Sequence, residues 1–385
     1  MNDLAQRALL PAGLSDMLPP AAGHEAAVVE RMMSVSAARG YERVKPPLVE
    51  FEDSLLAGSG VAMAPHTFRL MDPISQRMMA VRADMTLQVA RIAATRLVNA
   101  PRPLRLSYAG QVLRIRGDDM RPERQVGQVG AELIGSAAAE SDAEVVSLAI
   151  AALEAVGVTN LDVDLSSPKL VPAVLAGSPR SESDERKLRH ALDHKDAGAV
   201  AALGGAAAKT LIALLRAAGP ADEALAAMRR LPLPAAAAGE AERVAEVVAL
   251  VRAQRPGARL TVDPVENRGF EYHHGLCFTF FAERVRGELG RGGRYPAGEN
   301  VRPGSGEPAT GFTLYLDSIL RAIPPPASAR RIFVPHGSGA KASEKLRDEG
   351  WITVAGLAPA SDVAAEAKRM GCSHALIDGA ARAIK

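Results

Sequence analysis

The sequence contains very little cysteine. Cys277 and Cys372 are the two cysteines in a chain of 385 residues, and neither belongs to a His/Cys grouping with the spacing of metal ligands. Two thiols in a chain of this length do not form the disulfide framework that is typical of small secreted domains. The composition therefore argues against a cysteine-based metal site and favours a reducing compartment.

The sequence also lacks a long apolar run. No stretch reaches the roughly 18 apolar residues that a helix needs to cross a bilayer. Near the N-terminus, Asp3 and Arg7 surround a very short apolar stretch, which is not the pattern of a secretory signal. We therefore expect no membrane insertion and no secretion, and we expect a cytoplasmic protein.

Neither sign of charge dominates. The chain has 46 basic and 44 acidic residues, so its net charge is +2. Proteins that bind nucleic acid through their overall charge normally show a clustered basic excess. The balance of charge gives no support to a role that depends on binding nucleic acid.

The chain contains enough apolar residues for more than one hydrophobic core. Its hydrophobic content is 48%, and its length exceeds what a single hydrophobic core usually serves. We expect two or three packed units.

The first part of the chain predicts an α+β unit. Apolar residues at helical spacing predict helices over 22–39 and 142–156, ended by Gly40 and Gly157. A strand through Val44 follows the first helix, and the Asp72-Pro73 turn signal separates two further strands. Additional β-prone segments are 104–108, 111–115, 126–134 and 161–165. Short connections between these segments favour an antiparallel sheet.

The composition changes from about residue 168 to residue 256. Alanine dominates, charged residues recur at helical spacing and aromatic residues vanish, which predicts a helical insertion. Strands are expected again over 259–262, 275–281 and 284–287, and a closing strand and helix over 311–323. After consecutive prolines, the pattern alternates between short strands and helices, which is typical of a small α/β unit. We divide the chain into a core (1–166 and 258–323), a helical insertion (167–257), a Pro-rich linker (324–330) and a small α/β domain (331–385).

Several short motifs, taken in order, resemble those of class II histidyl-tRNA synthetases. They are Gly13-Leu-Ser-Asp-Met-Leu-Pro19, Gly40-Tyr41 with Val44, Pro47 and Glu50, Arg82–Arg91 (RADMTLQVAR), Gln128-Val-Gly-Ala-Glu132, Arg268–Phe278 (RGFEYHHGLCF), the Gly292-Gly-Arg-Tyr295 loop, and Thr310-Gly-Phe-Thr-Leu-Tyr-Leu316. Each motif is weak alone, and Gly290-x-Gly-Gly could be taken for a nucleotide loop, although no βαβ unit surrounds it. Their shared order carries the resemblance, which runs from about Gly13 to Arg321.

The resemblance implies an architecture. We expect a class II synthetase-like antiparallel sheet core with flanking helices, a helical insertion and a small C-terminal α/β unit, shorter than the anticodon-binding domain of the family. The motif at Gly40–Glu50 builds a dimer interface in the family, so the resemblance also implies self-association.

The chain departs from the family at the positions that hold ATP. Where the family has a glutamate two residues after its motif-two arginine, this chain has Arg116, and the next family arginine is Gly117. In the third motif, Tyr315 replaces a glycine and Ser318 replaces the arginine expected on the γ-phosphate. Amino-acid activation needs positive charge near the phosphates, and losing one preorganised contact of this kind costs about 3 kcal/mol. We expect negligible activation.

The positions that hold the amino acid are largely kept. A free amino acid needs an acceptor for its ammonium, a cation for its carboxylate and groups that discriminate its side chain. The resemblance assigns the ammonium to Asp84, Thr86 and Gln128, the carboxylate to Arg114 and Arg268, and the imidazole of histidine to Glu132 and Tyr295. Glu132 is expected to matter most for specificity, because an apolar analogue would leave its charge buried and unpaired.

Some of these residues have a second interpretation. The family tyrosine that touches the ring is His273 here, whose titration near a carboxylate would make affinity vary with pH. Tyr272 is a further candidate contact that could instead belong to the core. Asp84 could simply cap the helix that follows it, and Arg268 with Glu132 could form a structural pair.

The branch of this family that resembles a synthetase without catalysis contains the regulatory subunits of ATP phosphoribosyltransferase, the first enzyme of histidine biosynthesis. The resemblance implies a non-catalytic subunit that assembles with short-form catalytic subunits as a homodimer within a hetero-oligomer, commonly an octamer. It would activate the partner and mediate allosteric feedback inhibition by L-histidine. No cofactor or metal is expected in this chain, and magnesium enters only through the catalytic partner.

Two other functions remain open. An active histidine–tRNA ligase is kept possible by Arg121 and by Arg124, which falls on a family arginine, but it would need the missing ATP contacts and a longer C-terminal domain. A free-standing regulator of translation that binds uncharged tRNA is disfavoured by the balanced charge and the short C-terminal unit.

Overall fold

The computed structural model describes residues 9–56, 63–117, 122–178, 180–266, 275–299, 301, 304, 306–326 and 329–384. The chain divides into two compact units, Met1–Pro324 and Pro325–Lys385. The first unit contains all the candidate site residues.

A sheet of nine strands, counted within the described residues, forms the centre of the first unit. In order across the sheet, the strands are β1 (Glu42–Arg43), β5 (Leu104–Leu113), β6 (Gln125–Ile134), β12 (Glu307–Tyr315), β11 (Gly290–Ala297), β10 (Cys277–Ala282), β7 (Leu161–Ser166), β9 (Arg259–Val262) and β8 (Gly219–Pro220). Neighbours are antiparallel except for the parallel pairs β1–β5 and β7–β9. The α+β class predicted from the sequence is confirmed.

One face of the sheet packs against α1 (Ala21–Ala37) and α4 (Ala139–Ala155). Phe278, Phe280 and Phe312 project from this face into the main hydrophobic core, with ring centroids 5.6 Å apart for Phe278–Phe280 and 6.5 Å for Phe280–Phe312. Helix α4 is buried along most of its length. This explains why most of its residues are apolar or small, since a helix covered on several sides has little surface left for solvent.

The opposite face of the sheet carries a second core around α3 (Thr86–Thr95). Met85, Val89 and Ala90 pack there against Leu106 and Tyr108 of β5. A small sheet of β2 (Val49–Phe51), β4 (Met78–Val81) and β3 (Arg69–Met71), with the short helix α2 (Glu52–Leu55), leads the chain into α3. The candidate site lies on this face.

The insertion is helical, as predicted. Its helices are α5 (Leu170–Leu175), α6 (Glu182–Asp193), α7 (Ala197–Leu203), α8 (Ala208–Ala217), α9 (Ala221–Arg229) and α10 (Ala235–Gln254). The side chains of Ser181 and Asp196 cap α6 and α7 by accepting hydrogen bonds from Asp184 N and Ala199 N. Because β7 and β9 pair in parallel, the whole insertion is the crossover between two neighbouring strands.

The core closes with α11 (Leu316–Ala322), directly after β12. Among its described residues, the second unit has the elements β13 (Arg331–Val334), α12 (Ala340–Asp348), β14 (Ile352–Ala355), α13 (Val363–Arg369), β15 (His374–Ile377) and β16 (Ala380–Ala383). The four strands form one sheet in the order β14, β13, β15, β16. The final strand was not predicted.

Three local predictions were wrong. Residues 104–108 and 111–113 are not separate strands but belong to β5, whose ladder with β6 continues through Gly110 opposite Gln128, and residues 114–115 lie beyond the end of β5. Residues 284–287 form a turn instead of a strand, because Arg284 and Gly287 adopt φ of 68° and 90°. The segment Gly292–Tyr295, expected as a loop, lies within β11.

Within the described ranges, none of the helices combines the length and the apolar character that crossing a bilayer requires.

Candidate functional site

A buried carboxyl group, that of Glu132, lies at the centre of the site. It projects from β6 and is fully inaccessible to solvent. Its Oε2 accepts a hydrogen bond of 2.9 Å from the Tyr295 hydroxyl, and its Oε1 accepts one of 3.1 Å from the Tyr108 hydroxyl. Burial raises the pKa of Glu132 to about 8, even though the two tyrosine hydroxyls act in the opposite direction.

Glycines on the neighbouring strands make room for these side chains. Gly311 of β12 pairs with Glu132, and a Cβ atom on Gly311 would lie 1.6 Å from Glu132 Oε2. Gly130 pairs with Tyr108, and a Cβ atom there would lie 2.3 Å from the phenol oxygen. Gly130 and Gly311 are therefore required by the close approach of the pocket side chains.

A cluster of hydroxyl groups adjoins Glu132. The Tyr108 hydroxyl lies 2.9 Å from Thr313 Oγ1 and 3.2 Å from Thr86 Oγ1. Thr86 is the first residue of α3, and Thr313 belongs to β12. The cluster therefore ties the start of the helix to the middle of the sheet.

An acceptor pair lies at the same end of α3. Gln128 Nε2 donates to Asp84 Oδ2 over 3.1 Å, while Asp84 Oδ1 accepts from the Thr86 backbone N–H over 2.8 Å. Gln128 is fully buried, and its Oε1 has no hydrogen-bond partner among the residues that the structure describes. A buried acceptor of this kind normally has a partner. Together, the carboxylate of Asp84 and Oε1 of Gln128 suit a cationic ligand group.

Asp84 precedes Met85, which is the N-cap residue of α3, but one of its oxygens makes a contact close to the one that the helix-capping interpretation predicts. Oδ1 accepts the backbone N–H at the start of α3, as a cap does. Oδ2 accepts from Gln128, whose side chain lies on the pocket side of β6, as does that of Glu132 four residues further along the strand. Asp84 therefore positions the helix and the acceptor pair at once.

Of the remaining predicted residues, the structure describes one and leaves three outside its described ranges. Arg114 is half-buried immediately beyond β5, where its backbone N–H donates to Arg124 O over 2.8 Å, and strand alternation places it on the same side as Tyr108. Arg268, Tyr272 and His273 lie outside the described residues. The structure thus brings together Asp84, Thr86, Gln128, Glu132 and Tyr295.

Two arginines of the RADMTLQVAR motif serve the scaffold. Arg82 is buried and donates to the carbonyl oxygens of Gln111 (2.8 Å) and Pro46 (3.0 Å), and burial lowers its pKa. Arg91 donates to Glu50 through Nε over 2.9 Å. The contacts of Arg82 join β5 to the segment that precedes β2, and the contact of Arg91 joins α3 to β2 itself.

The substituted ATP positions are occupied by packed groups. Tyr315 is buried and pairs with Gln128 across β12 and β6, so its side chain shares the pocket face. Ser318, in α11, is buried and accepts a hydrogen bond of 3.2 Å from Arg321 Nη2, which also donates to Asp317. The arrangement places a phenol beside the acceptor pair.

Arg124, the retained family arginine, is engaged with the N-terminal segment. Its guanidinium lies 5.0 Å from the ring centroid of Phe68 and donates to Ala12 O over 3.1 Å. Its side chain also fills the space beside Gly13, where a Cβ atom would meet it at 2.8 Å. Arg116 is exposed.

The sequence prediction missed Tyr108 and Thr313. Both project into the pocket because they lie opposite Gly130, one on each side: Tyr108 on β5 and Thr313 on β12. The usable signal was the two-residue period of β6, which puts Gln128, Gly130 and Glu132 on one face. This period identifies the residues of β6 that face the pocket, but it does not give the register of the neighbouring strands.

The site offers buried acceptors, hydroxyl groups and a carboxyl group of raised pKa, which suits a small ligand that carries an ammonium and a second N–H donor. Among the described residues, no cluster of three or more His, Cys, Asp or Glu side chains is arranged to hold a metal ion.

Comparison with known proteins gives consistent relatives. A family model described as "Histidyl-tRNA synthetase" matches residues 13–319. The chain is 58% identical over 378 residues to the ATP phosphoribosyltransferase regulatory subunit of Rhodospirillum centenum, covering 98% of this chain and 97% of that one. It is 48% identical to the protein of the same name from Gluconobacter oxydans, covering 100% and 99% of the two chains.

Solved structures share the fold over nearly the whole chain. An ATP phosphoribosyltransferase regulatory subunit/histidyl-tRNA synthetase from Bacillus halodurans superposes with a TM-score of 0.81 at 25% identity, covering 94% of this chain and 96% of that one. The histidyl-tRNA synthetase of Nostoc sp. PCC 7120 superposes with a TM-score of 0.80 at 18% identity, covering 96% and 91%. The chain belongs to the family of ATP phosphoribosyltransferase regulatory subunits, which has the class II fold of histidyl-tRNA synthetases.

Proposed function

We propose that this chain is the non-catalytic regulatory subunit of an ATP phosphoribosyltransferase and that it binds L-histidine, the end product of the pathway, in the pocket around Glu132. The observation that carries the proposal is a contrast on one face of the sheet, between the buried acceptors and the side chain that occupies the space beside them. Glu132, Gln128 and Asp84 form a buried set of acceptors, and Tyr315 fills space beside them.

The acceptor pair would take the ammonium group of histidine. Asp84 supplies negative charge and Gln128 supplies a buried oxygen that has no partner in the described part of the chain. The start of α3 adds the Thr86 hydroxyl. Arg114 and Arg268 would meet the carboxylate, since a guanidinium offers two parallel donors to two oxygens.

The imidazole would lie against Glu132, with Tyr295 beside it and Tyr272 and His273 as further contacts. A free imidazole has a pKa of about 6.5, and Glu132 has a pKa of about 8. Between these values the carboxyl group is protonated and the ring is neutral. The pair therefore holds one proton, which either group can carry, and histidine can bind without placing a net charge beside the buried carboxyl.

The partner would be the short-form catalytic subunit, which condenses ATP with phosphoribosyl pyrophosphate and brings its own magnesium. The chain would self-associate through the segment Gly40–Glu50 and join a hetero-oligomer, commonly an octamer. No cofactor is needed in this subunit and no tRNA is bound. The first relatives are named as regulatory subunits, which supports a catalytic partner.

Feedback inhibition requires that histidine bind two states of the complex unequally. A coupling free energy of about 1–3 kcal/mol is typical of such systems. A ligand that bound both states equally would shift nothing, however tightly it bound.

The test combines binding with transferase activity. The purified chain is titrated calorimetrically with L-histidine, with ATP and with both, and is added to a short-form catalytic subunit. We expect saturable histidine binding, no adenylate formation, and a partner that is activated by the chain and inhibited by histidine. ATP-dependent adenylate formation would instead support the histidine–tRNA ligase.

Glu132→Gln tests the pocket itself. The variant should still assemble with the partner and activate it, because Glu132 is not part of the protein surface. Inhibition should need about tenfold more histidine, since an amide, unlike the carboxyl group, cannot carry the proton that Glu132 would share with the imidazole. Glu154→Gln, on the far part of α4, is the matched control. If the two variants are inhibited by the same concentration of histidine, Glu132 does not contact the ligand.

A further inference from the structure

A second buried carboxylate, that of Asp142, lies on the other face of the sheet. It belongs to the first turn of α4 and is fully inaccessible to solvent. Its Oδ1 accepts from Arg294 Nη2 over 2.7 Å and its Oδ2 accepts from Arg243 Nη2 over 3.1 Å. One buried anion therefore joins two cations.

The two arginines come from different parts of the fold. Arg294 belongs to β11 of the core, and Arg243 belongs to α10 of the helical insertion. Both arginines also donate hydrogen bonds to the segment between β6 and α4. Arg294 donates to Ser136 O and Ala138 O, each over 2.9 Å, and Arg243 donates to Ala137 O over 2.7 Å. We call these contacts of Asp142, Arg294 and Arg243 the Asp142 bridge.

On the core side, the contacts of the bridge lie close in sequence to two pocket residues. Arg294 directly precedes Tyr295, which donates to Glu132. The segment gripped by both arginines begins at Ser136, two residues after the end of β6, the strand that carries Glu132. The donor and the acceptor of the central hydrogen bond of the pocket are thus both attached to the bridge.

We propose that Asp142 is a positioning residue, through which the bridge couples the ligand pocket to the helical insertion. A displacement of α10 relative to the core would move Arg243, and through Asp142 it would shift the strand ends that hold Tyr295 and Glu132. By reciprocity, ligand binding in the pocket would change the position or mobility of α10. The part of this proposal that concerns ligand binding rests on the proposed function, in which L-histidine is the ligand.

The energetics favour a coupled contact over a passive one. A buried carboxylate that loses one of two charged partners is left undercompensated, and such losses are costly. The bridge therefore resists partial opening, so that α10, α4 and β11 tend to move together. By contrast, an exposed ion pair contributes little and transmits little.

The chain supplies a matched control at the other end of the same helix. Arg255, the residue after α10, donates to Glu154 Oε2 over 3.0 Å, and this partner is exposed. Arg255→Gln removes an arginine contact between α10 and α4 that touches no pocket strand. Arg243→Gln removes the bridge contact while Arg294 remains on Asp142. Arg243→Lys keeps the charge.

The experiment is hydrogen–deuterium exchange on the full chain, with and without L-histidine, for the native sequence and the three variants. Without ligand, Arg243→Gln should speed exchange at least about threefold in peptides of β6 and β11, and Arg255→Gln should not. Arg243→Lys should restore most of the protection. With ligand, histidine should slow exchange in the first half of α10, and Arg243→Gln should abolish that effect and weaken histidine binding about tenfold.

The outcomes separate the bridge from the proposed ligand. If Arg243→Gln and Arg255→Gln give the same exchange in β6 and β11, the bridge does not couple the insertion to the pocket and the proposal is overturned. If histidine changes no peptide of the native chain, the proposed ligand fails, while the ligand-free comparison still decides the bridge.

Discussion

Glu132 holds its carboxyl group in a fully buried position between two tyrosine hydroxyls. In the unfolded chain the same group is solvated and has an ordinary pKa near 4.5, whereas in the folded chain its pKa is about 8. The folded state therefore binds more protons than the unfolded state between these values. The contribution of Glu132 to stability is full below about pH 4.5 and is lost as the pH rises towards 8.

This difference predicts a pH-dependent effect of Glu132→Gln. Relative to the native chain, the variant should gain stability as the pH rises, at a rate of at most about 1.4 kcal/mol per pH unit between about pH 5 and pH 8. Urea unfolding of both ligand-free chains at pH 5.5 and pH 8 measures it. Glu154→Gln should follow the native chain, and a constant difference between Glu132→Gln and the native chain would contradict the raised pKa.

A second residue-scale prediction concerns the ATP positions. Ser318→Arg should not confer ATP use, because Tyr315 is buried on the pocket face beside Gln128 and the new guanidinium would enter a position already packed against Arg321. The like charges of the two arginines would also repel each other. ATP–pyrophosphate exchange in the presence of histidine is the assay. Exchange above the background of the native chain would show that Tyr315 does not exclude the nucleotide.

At the scale of elements, the pairing of β6 with β12 sets the dimensions of the pocket. Gly311→Ala would place a methyl carbon 1.6 Å from Glu132 Oε2 and 2.9 Å from Ala131 O. We expect a loss of about 1–3 kcal/mol in the free energy of unfolding, together with weaker histidine binding as the carboxyl group is displaced. Denaturant titration and calorimetry measure the two effects.

The control for this substitution is Gly239→Ala in α10. A Cβ atom there meets no atom within 4 Å, so the substitution should be neutral or stabilise the helix by up to about 1 kcal/mol. If Gly311→Ala behaves like Gly239→Ala, the two strands have more freedom to separate than the pairing indicates.

The outcome of the sequence prediction also belongs to the scale of elements. Periodicity located α1, α4 and β9 because one pattern dominates each of them. It failed for β11, since glycine is depleted in strands, whereas here glycine is needed: a Cβ atom on Gly292 would lie 2.4 Å from the Phe278 ring. Tyr108 and Thr313 were missed for a related reason, because strand register is a property of two segments that one segment does not contain.

The candidate site was predictable only where a motif named its residues. Asp84, Gln128 and Glu132 come together as the motifs imply. The hydrogen bond between Gln128 and Asp84, the tyrosine donors on Glu132 and the buried bridge at Asp142 all depend on contacts between distant segments. Charge and hydropathy along the chain carry no information on such pairs.

At the scale of the whole molecule, the two compact units predict separable behaviour. A chain that ends at Pro324 should fold and bind histidine with unchanged affinity, because the described pocket residues all belong to the first unit. Circular dichroism and calorimetry of the shortened chain test this. A loss of binding with intact secondary structure would assign the second unit a direct part in the pocket.

The position of the insertion also has a kinetic consequence. Residues 167–258 separate β7 from β9, although the two strands are paired neighbours, with Asp162 opposite Arg259. Closing a loop of that length from a disordered chain is entropically costly and slow. A folded insertion fixes the distance between its two ends, which the parallel pairing places at opposite ends of the strands, and it removes most of that search. The helices should therefore form before this edge of the sheet, so that the order of folding runs from the insertion inward to the strands that carry it.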